Sequence, residues 1–276
     1  MHYFDPHYSY IRHPAIGFAG SGSGRLRGGE SLKQMEALLP SLTGREQHTL
    51  RALYDEEVRF TDAGIGRLLD ALRRTGRWDE TVVAVVSDHG EEFFDHGGIA
   101  HGHSLYEELL RVPLLVSVPG AGGGRVIRPP VTTAALAATL LDLMGVSAEA
   151  LAAPLPSFSG LLAGDETDAP VVFAELGGES PKGRRLGPTH RLRALVAHPW
   201  KLVHDERKGS LELFDLAQDP TEKVNLADRE REVARDLETR LARHTADLLG
   251  LAVAAEEAPI GARDAELLRE LGYVAE

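Results

Sequence analysis

Downstream of Thr43, apolar residues recur close to the 3.6-residue helical repeat: Leu50, Leu53, Tyr54, Val58, Ile65, Leu68, Leu69 and Leu72. Thr43 and Glu46 stand in the S/T-x-x-E relation of a capping box, and Gly76 is placed to end the helix. Asp55 with Arg59 and Asp70 with Arg74 form i,i+4 pairs with the acid on the N-terminal side. Thr81 to Val86 is apolar and β-branched without alternation, the pattern of a strand buried on both faces. Leu114 to Val118, bounded by Pro113 and Pro119, repeats that pattern, and Val171 to Ala174 is a third short run. Thr132 or Thr133 caps a further helix running to Met144, stopped by Gly145. Helices alternating with buried strands predict an α/β fold built on a parallel sheet with helices on both faces.

After about residue 185 the texture changes. Arg193 to His198, Lys201 to His204 and Leu211 to Leu216 are short segments split by Pro199 and by Lys208-Gly209, which predicts an antiparallel meander. Asp228 to Leu249 reads as an amphipathic helix with Val233, Leu237, Leu241 and Leu248 on one side. The expected organisation is an α/β core over residues 1–185 and a small antiparallel subdomain with terminal helices over 186–276. Met1 to Phe4 resembles the end of a strand and Asp5 to Tyr10 the loop leaving it, so further residues are expected ahead of them. The glycine-rich stretch from Ala19 to Glu30 reads as a loop, without the strand-then-helix frame that a phosphate cradle needs.

Charge narrows the partners. The 276 residues carry 42 acidic against 30 basic side chains, a formal net charge of −12. That sign argues against nucleic acid or an anionic membrane surface, either of which favours a basic face. No apolar run approaches the roughly 18 residues of a membrane span. The opening Met1 to His7 has neither the basic head nor the apolar stretch of a signal peptide. There is no cysteine, which excludes disulfides, thiolate metal ligands and a cysteine nucleophile within this sequence.

The chemistry concentrates between Ser87 and Glu108. Asp88 and His89 follow a buried strand at its carboxyl end, where open α/β sheets place their ligands, and Gly90 lets the chain turn after them. Oxygen and nitrogen donors on one such turn point to a shared divalent cation, which polarises an ester oxygen; the alternative is that either residue merely caps the turn. His101 and His103 stand close by in sequence. His96, in a polar glycine-rich loop, is read as solvent-facing, and Glu91 and Glu92 as supporting or surface groups.

Ser87-Asp88-His89-Gly90-Glu91-Glu92, then His101-Gly102-His103-Ser104-Leu105-Tyr106-Glu107-Glu108, then Arg111-Val112-Pro113-Leu114 resembles the C-terminal half of the sulfatase family, in the alkaline phosphatase superfamily. His2 to His7, Tyr54 to Leu69, Trp200-Lys201-Leu202, Leu213 to Leu216, Asp219-Pro220, Asn225-Leu226-Ala227 and the tail Leu268 to Val274 resemble further family segments in the same order. The resemblance implies a partial alkaline-phosphatase-like sheet and metal-dependent hydrolysis of sulfate esters, small-molecule or glycan. Phosphate or phosphonate ester hydrolysis is the alternative, and a non-catalytic remnant the third reading. It implies Asp88 and His89 as metal ligands for calcium, or for manganese or zinc given the Asp-His pair. It further implies His7 as a contact to the ester or its leaving group, and His101 or His103 in the place of a sulfate-contacting lysine. The family's nucleophile and paired aspartates belong to an N-terminal half with no counterpart here, which leads us to expect a surface for self-association along the incomplete sheet.

Overall fold

A computed structural model describes residues 1–20, 24–147, 156–165, 170–177 and 191–251. Its elements run α1 (Leu32–Leu38), α2 (Gly44–Arg74), β1 (Val83–Val86), β2 (Glu92–Phe93), β3 (Ile99–Ala100), α3 (Glu107–Leu110) and β4 (Leu114–Ser117). Then follow α4 (Leu136–Leu143), α5 (Ser159–Ala163), β5 (Val172–Leu176), β6 (Leu192–Ala197), β7 (Trp200–Asp205), β8 (Ser210–Asp215) and α6 (Arg231–Leu251). The family-like tail Leu268 to Val274 lies outside the described residues. No helix among them is long and apolar enough to cross a membrane.

The chain divides into two compact units. The first comprises Met1–Val83, Glu92–Ala100 and Val116–Ala121. Its helix α2 begins at the expected capping box: Thr43 accepts from the Glu46 amide, while Glu46 accepts from the Thr43 amide. Leu50 and Leu53 turn inward to meet Tyr10, Leu26, Met35, Phe93 and Ile99. Tyr10, Tyr54 and Phe93 pack with ring centroids between 5.0 and 5.8 Å apart. Three buried carboxylates on α2 hold the N-terminal loop by its backbone. Glu57 accepts from the Ile11 amide at 2.7 Å, Glu56 from the amides of His13 and Ala19 at 2.7 and 2.8 Å, and Glu46 from the Arg25 amide and guanidinium. The helix surface pairs differ from those the spacing predicts: Arg59 meets Asp62 and Arg73 meets Asp70, each at i,i+3. Residues 1–4 form no strand, contrary to the expectation for Met1 to Phe4.

The second unit comprises Ala84–Glu91, His101–Leu115 and Gly122–Glu276. It is organised by a four-stranded sheet in the order β5-β6-β7-β8, antiparallel throughout. Alternation splits its residues cleanly between two faces. Leu195, Leu202 and Leu213 face α6, packing on Ala234, Leu237 and Leu241. Leu192, Ala194, Val203 and Phe214 face the other way, onto Leu105, Tyr106 and Leu110. The meander and its helix thus form as expected, except that Leu248 remains half exposed.

The parallel sheet does not emerge in the form the sequence suggests. The hairpin β2–β3 and the four-stranded sheet are antiparallel, and the Val171 to Ala174 run becomes β5, the edge of the antiparallel sheet. β1 and β4 pair with each other as a two-stranded sheet. Neither is buried on both faces, for Val86 is 39% and Leu115 61% exposed. Apolar runs of four residues state what a strand is made of, not how many layers cover it. Thr132 caps the helical turn leading into α4, as expected, by accepting from the Ala134 amide.

Candidate functional site

The turn after β1 belongs to the second unit and is held on both sides. The Ser87 amide donates to Pro113, and the Ser87 hydroxyl donates to the carbonyl of His89 at 2.7 Å. The Gly90 amide donates to the Leu109 carbonyl on α3 at 2.8 Å. Gly90 does more than permit a turn: a Cβ built there would lie 2.0 Å from the Glu108 carbonyl oxygen, so only glycine lets the turn and α3 approach this closely.

Asp88 and His89 point their donors outward from this turn. The Asp88 carboxylate is 75% exposed and accepts from the His89 amide at 3.0 Å. His89 Nδ1 lies 2.8 Å from the Gly90 carbonyl, which only accepts, so Nδ1 carries the proton and Nε2 the lone pair. That nitrogen lies 3.9 Å from Asp88 Oδ2. His101 packs its ring against His89, with centroids 3.9 Å apart, and its Nδ1 lies 3.2 Å from a carboxylate oxygen of the nearly buried Glu91. The two imidazoles are therefore oriented alike, each with Nδ1 turned toward a protein acceptor.

An oxygen and a neutral imidazole nitrogen on one turn suit a divalent cation as a partial donor set. Among the described residues, no group of three or more His, Cys, Asp or Glu side chains is gathered for one ion. Asp88 and His89 thus offer one oxygen and one nitrogen 3.9 Å apart, a donor pair whose chemistry suits such an ion.

The remaining predicted residues are distributed differently. His103 lies on the wall of a cavity of about 170 Å³, beside Ser104, Asp205, Lys208 and Glu212. Tyr106, on the same wall, donates to Glu212 at 3.1 Å; burial first, and the Glu212 charge second, hold its phenol above the usual range. His7 stands in the first unit, with Nδ1 2.6 Å from the Tyr8 carbonyl, so it too carries its lone pair on Nε2. His96 is half buried rather than solvent-facing, and its amide donates to Glu92. Glu92 is itself buried, accepting from the amides of His96 and Gly98, and so shapes the β2–β3 hairpin loop instead of lying on the surface.

The sequence reading missed a buried charge cluster behind the site. Lys201, fully buried on β7, reaches Glu107 Oε1 at 2.9 Å and Glu222 Oε1 at 2.8 Å. The second oxygen of Glu222 accepts from the Glu107 amide at 2.6 Å, at the start of α3. A lysine inside a strand whose next two residues are buried was the available signal.

Comparison with known proteins follows the same order along the chain. The sulfatase family model matches residues 5–146, and the model described as N-sulphoglucosamine sulphohydrolase, C-terminal, matches residues 95–247. Arylsulfatase K of Bos taurus is 30% identical over 211 residues, covering 72% of this chain and 37% of its own length. The choline-sulfatase of Rhizobium meliloti is 30% identical over 183 residues, covering 66% of this chain and 34% of its own. Among solved structures, a sulfatase from Bacteroides thetaiotaomicron superposes with a TM-score of 0.67 at 24% identity, over 82% of this chain and 50% of that one. A phosphonate monoester hydrolase from Silicibacter pomeroyi gives a TM-score of 0.63 at 27% identity, over 80% and 44%. The chain spans little more than a third of the curated relatives it matches.

Proposed function

The chain belongs to the sulfatase family, and from that premise we propose that it carries the metal-holding and ester-contacting side of a sulfuric ester hydrolase. The observation that carries this reading is the turn at the end of β1, where Asp88 and His89 offer unlike donors and the His101 ring packs on His89. Asp88 and His89 would hold a divalent metal, calcium or, given the nitrogen ligand, manganese or zinc. Such an ion supplies Lewis-acid stabilisation of charge on an ester oxygen.

The protein groups act around that centre. Gly90 and Ser87 fix the turn that carries both donors, with Asp88 Oδ2 3.9 Å from His89 Nε2. Glu91 holds His101 by Nδ1 at 3.2 Å, and we read the other ring nitrogen as the group that meets the substrate. His103 lines a cavity suited to part of the alcohol, small-molecule or glycan. β1 and β4, which pair with each other, are read as neighbours in the alkaline-phosphatase-like parallel sheet.

The covalent step needs a nucleophile that this sequence, with no cysteine, does not supply in the family's usual form. We read it as contributed by a further segment, which fits the share of the relatives that the chain spans. The test is to assay an aryl sulfate with added divalent metal, first with the 276-residue chain and then with the chain joined to the nucleophile-bearing half of a relative. The expected outcome is no turnover by the chain alone. The joined protein should hydrolyse the sulfate ester and lose on the order of 100-fold with Asp88→Ala. Turnover by the chain alone that Asp88→Ala abolishes would overturn the need for a further segment. The 27%-identical phosphonate monoester hydrolase supports a second reading, phosphonate ester hydrolysis, which a joined protein preferring a phosphonate ester would favour.

A further inference from the structure

We propose that Lys201 is a positioning residue for the Asp88–His89 turn, acting through Glu107 and helix α3. The inference rests on the reading of that turn as the metal-holding part of the site. Every link lies within the second unit.

The chain of contacts starts on the sheet. Lys201 shares its face of β7 with Val203, the face that receives Leu105 and Tyr106. There its ammonium joins Glu107 to Glu222 at 2.9 and 2.8 Å, and Glu222 also takes the Glu107 amide at 2.6 Å. Glu107 is thus gripped at both side chain and backbone. It is the first residue of α3, a helix of four residues that has no length of its own to resist displacement. The next two residues of α3 make the contact with the turn: Glu108 presents its carbonyl to the space a Gly90 side chain would need, and Leu109 accepts from the Gly90 amide at 2.8 Å. Gly90 follows directly on His89 and accepts from its Nδ1 at 2.8 Å. A displacement of Glu107 is therefore passed through two backbone contacts to the imidazole that would bind the metal.

Energetics favour this reading over simple reinforcement. Burying an ammonium with two carboxylates costs desolvation that apolar residues of the same volume avoid, so such a cluster is a poor way to gain stability alone. It does fix geometry, because the ammonium fits one arrangement of its acceptors and an apolar contact tolerates many. Lys201 is fully buried, so it acts through Glu107 and not by touching substrate.

The test uses the full chain, free of metal, and follows the ring nitrogen resonances of His89 and His101 beside manganese affinity and thermal melting. Lys201→Met should shift the His89 resonances and weaken manganese binding about tenfold at a temperature where the variant is fully folded. Glu107→Gln keeps an oxygen for the lysine and should stay within about twofold of the parent, whereas Glu107→Ala should match Lys201→Met. Gly90→Ala, pushing on the same contact from the other side, should move the same His89 resonances. A folded Lys201→Met with parental resonances and affinity overturns the proposal. Should Lys201→Met not fold, Glu107→Ala decides by the same criteria. If the parent protein binds no manganese, the metal reading of the turn fails, while the metal-free resonances still decide whether Lys201 positions it.

Discussion

Gly90 sits where two backbones nearly touch. The atom a side chain would strike is the Glu108 carbonyl oxygen at 2.0 Å, which cannot swing aside as a flexible side chain would. Gly90→Ala should therefore lower stability by about 1–3 kcal/mol in urea melts, in the range of overpacking. Two buried glutamates give pH effects of opposite sign. The Arg25 guanidinium, with the Thr43 and Arg25 amides, holds the Glu46 carboxyl well below its ordinary value of 4.5. Its contribution is complete above that ordinary value and is lost as pH falls below it toward the depressed one. Urea melts of Glu46→Gln and the parent should accordingly differ most near neutrality and converge in acid; a constant difference would mean that the Glu46 charge is immaterial. Burial, as the largest influence, pushes Glu222 up, so its contribution is complete in acid and declines as pH rises through the raised value. At this scale the sequence revealed types more readily than reasons. Asp88 and His89 stand out as donors on a turn, but glycine's closeness to α3 depends on residues eighteen and nineteen positions later. Lys201 was legible as a charge inside a strand and as part of a family-like segment, but its ion pairs were not, because its partners come from two other segments.

Local rules and tertiary cover part ways among the elements. The α2 capping box formed as its residues predict, for it needs only Thr43, Glu46 and their own amides. Thr43→Ala should cost about 1 kcal/mol in a thermal or urea melt. The same helix shows the limit of periodicity, since Leu50 and Leu53 are buried whereas Leu68, on the same repeat, is 38% exposed. The meander was equally legible: Pro199 and Gly209 mark its turns, and Gly209 takes the positive φ of 63° that favours glycine. β1 and β4 were recognisable as strands but not as half-covered ones, because their neighbours are set by the fold and not by their own four residues.

Across the whole molecule, the first unit leaves Val58, Phe60 and Leu68 of α2 between 38% and 44% exposed. Apolar surface of that kind favours association, and sedimentation velocity should show the weight-average mass of the full chain rising with concentration. A concentration-independent monomer would refute the expectation of self-association. The second unit carries a different safeguard. Because its strands alternate between two covered faces, a slip of one residue in β7 would carry Lys201 into the leucine-lined contact with α6 and present Leu202 to Glu107 and Glu222. Both exchanges are costly, so the buried ammonium favours one register of β7 over its one-residue slip. A sheet misaligned by one residue is thus penalised by charge as well as by lost packing.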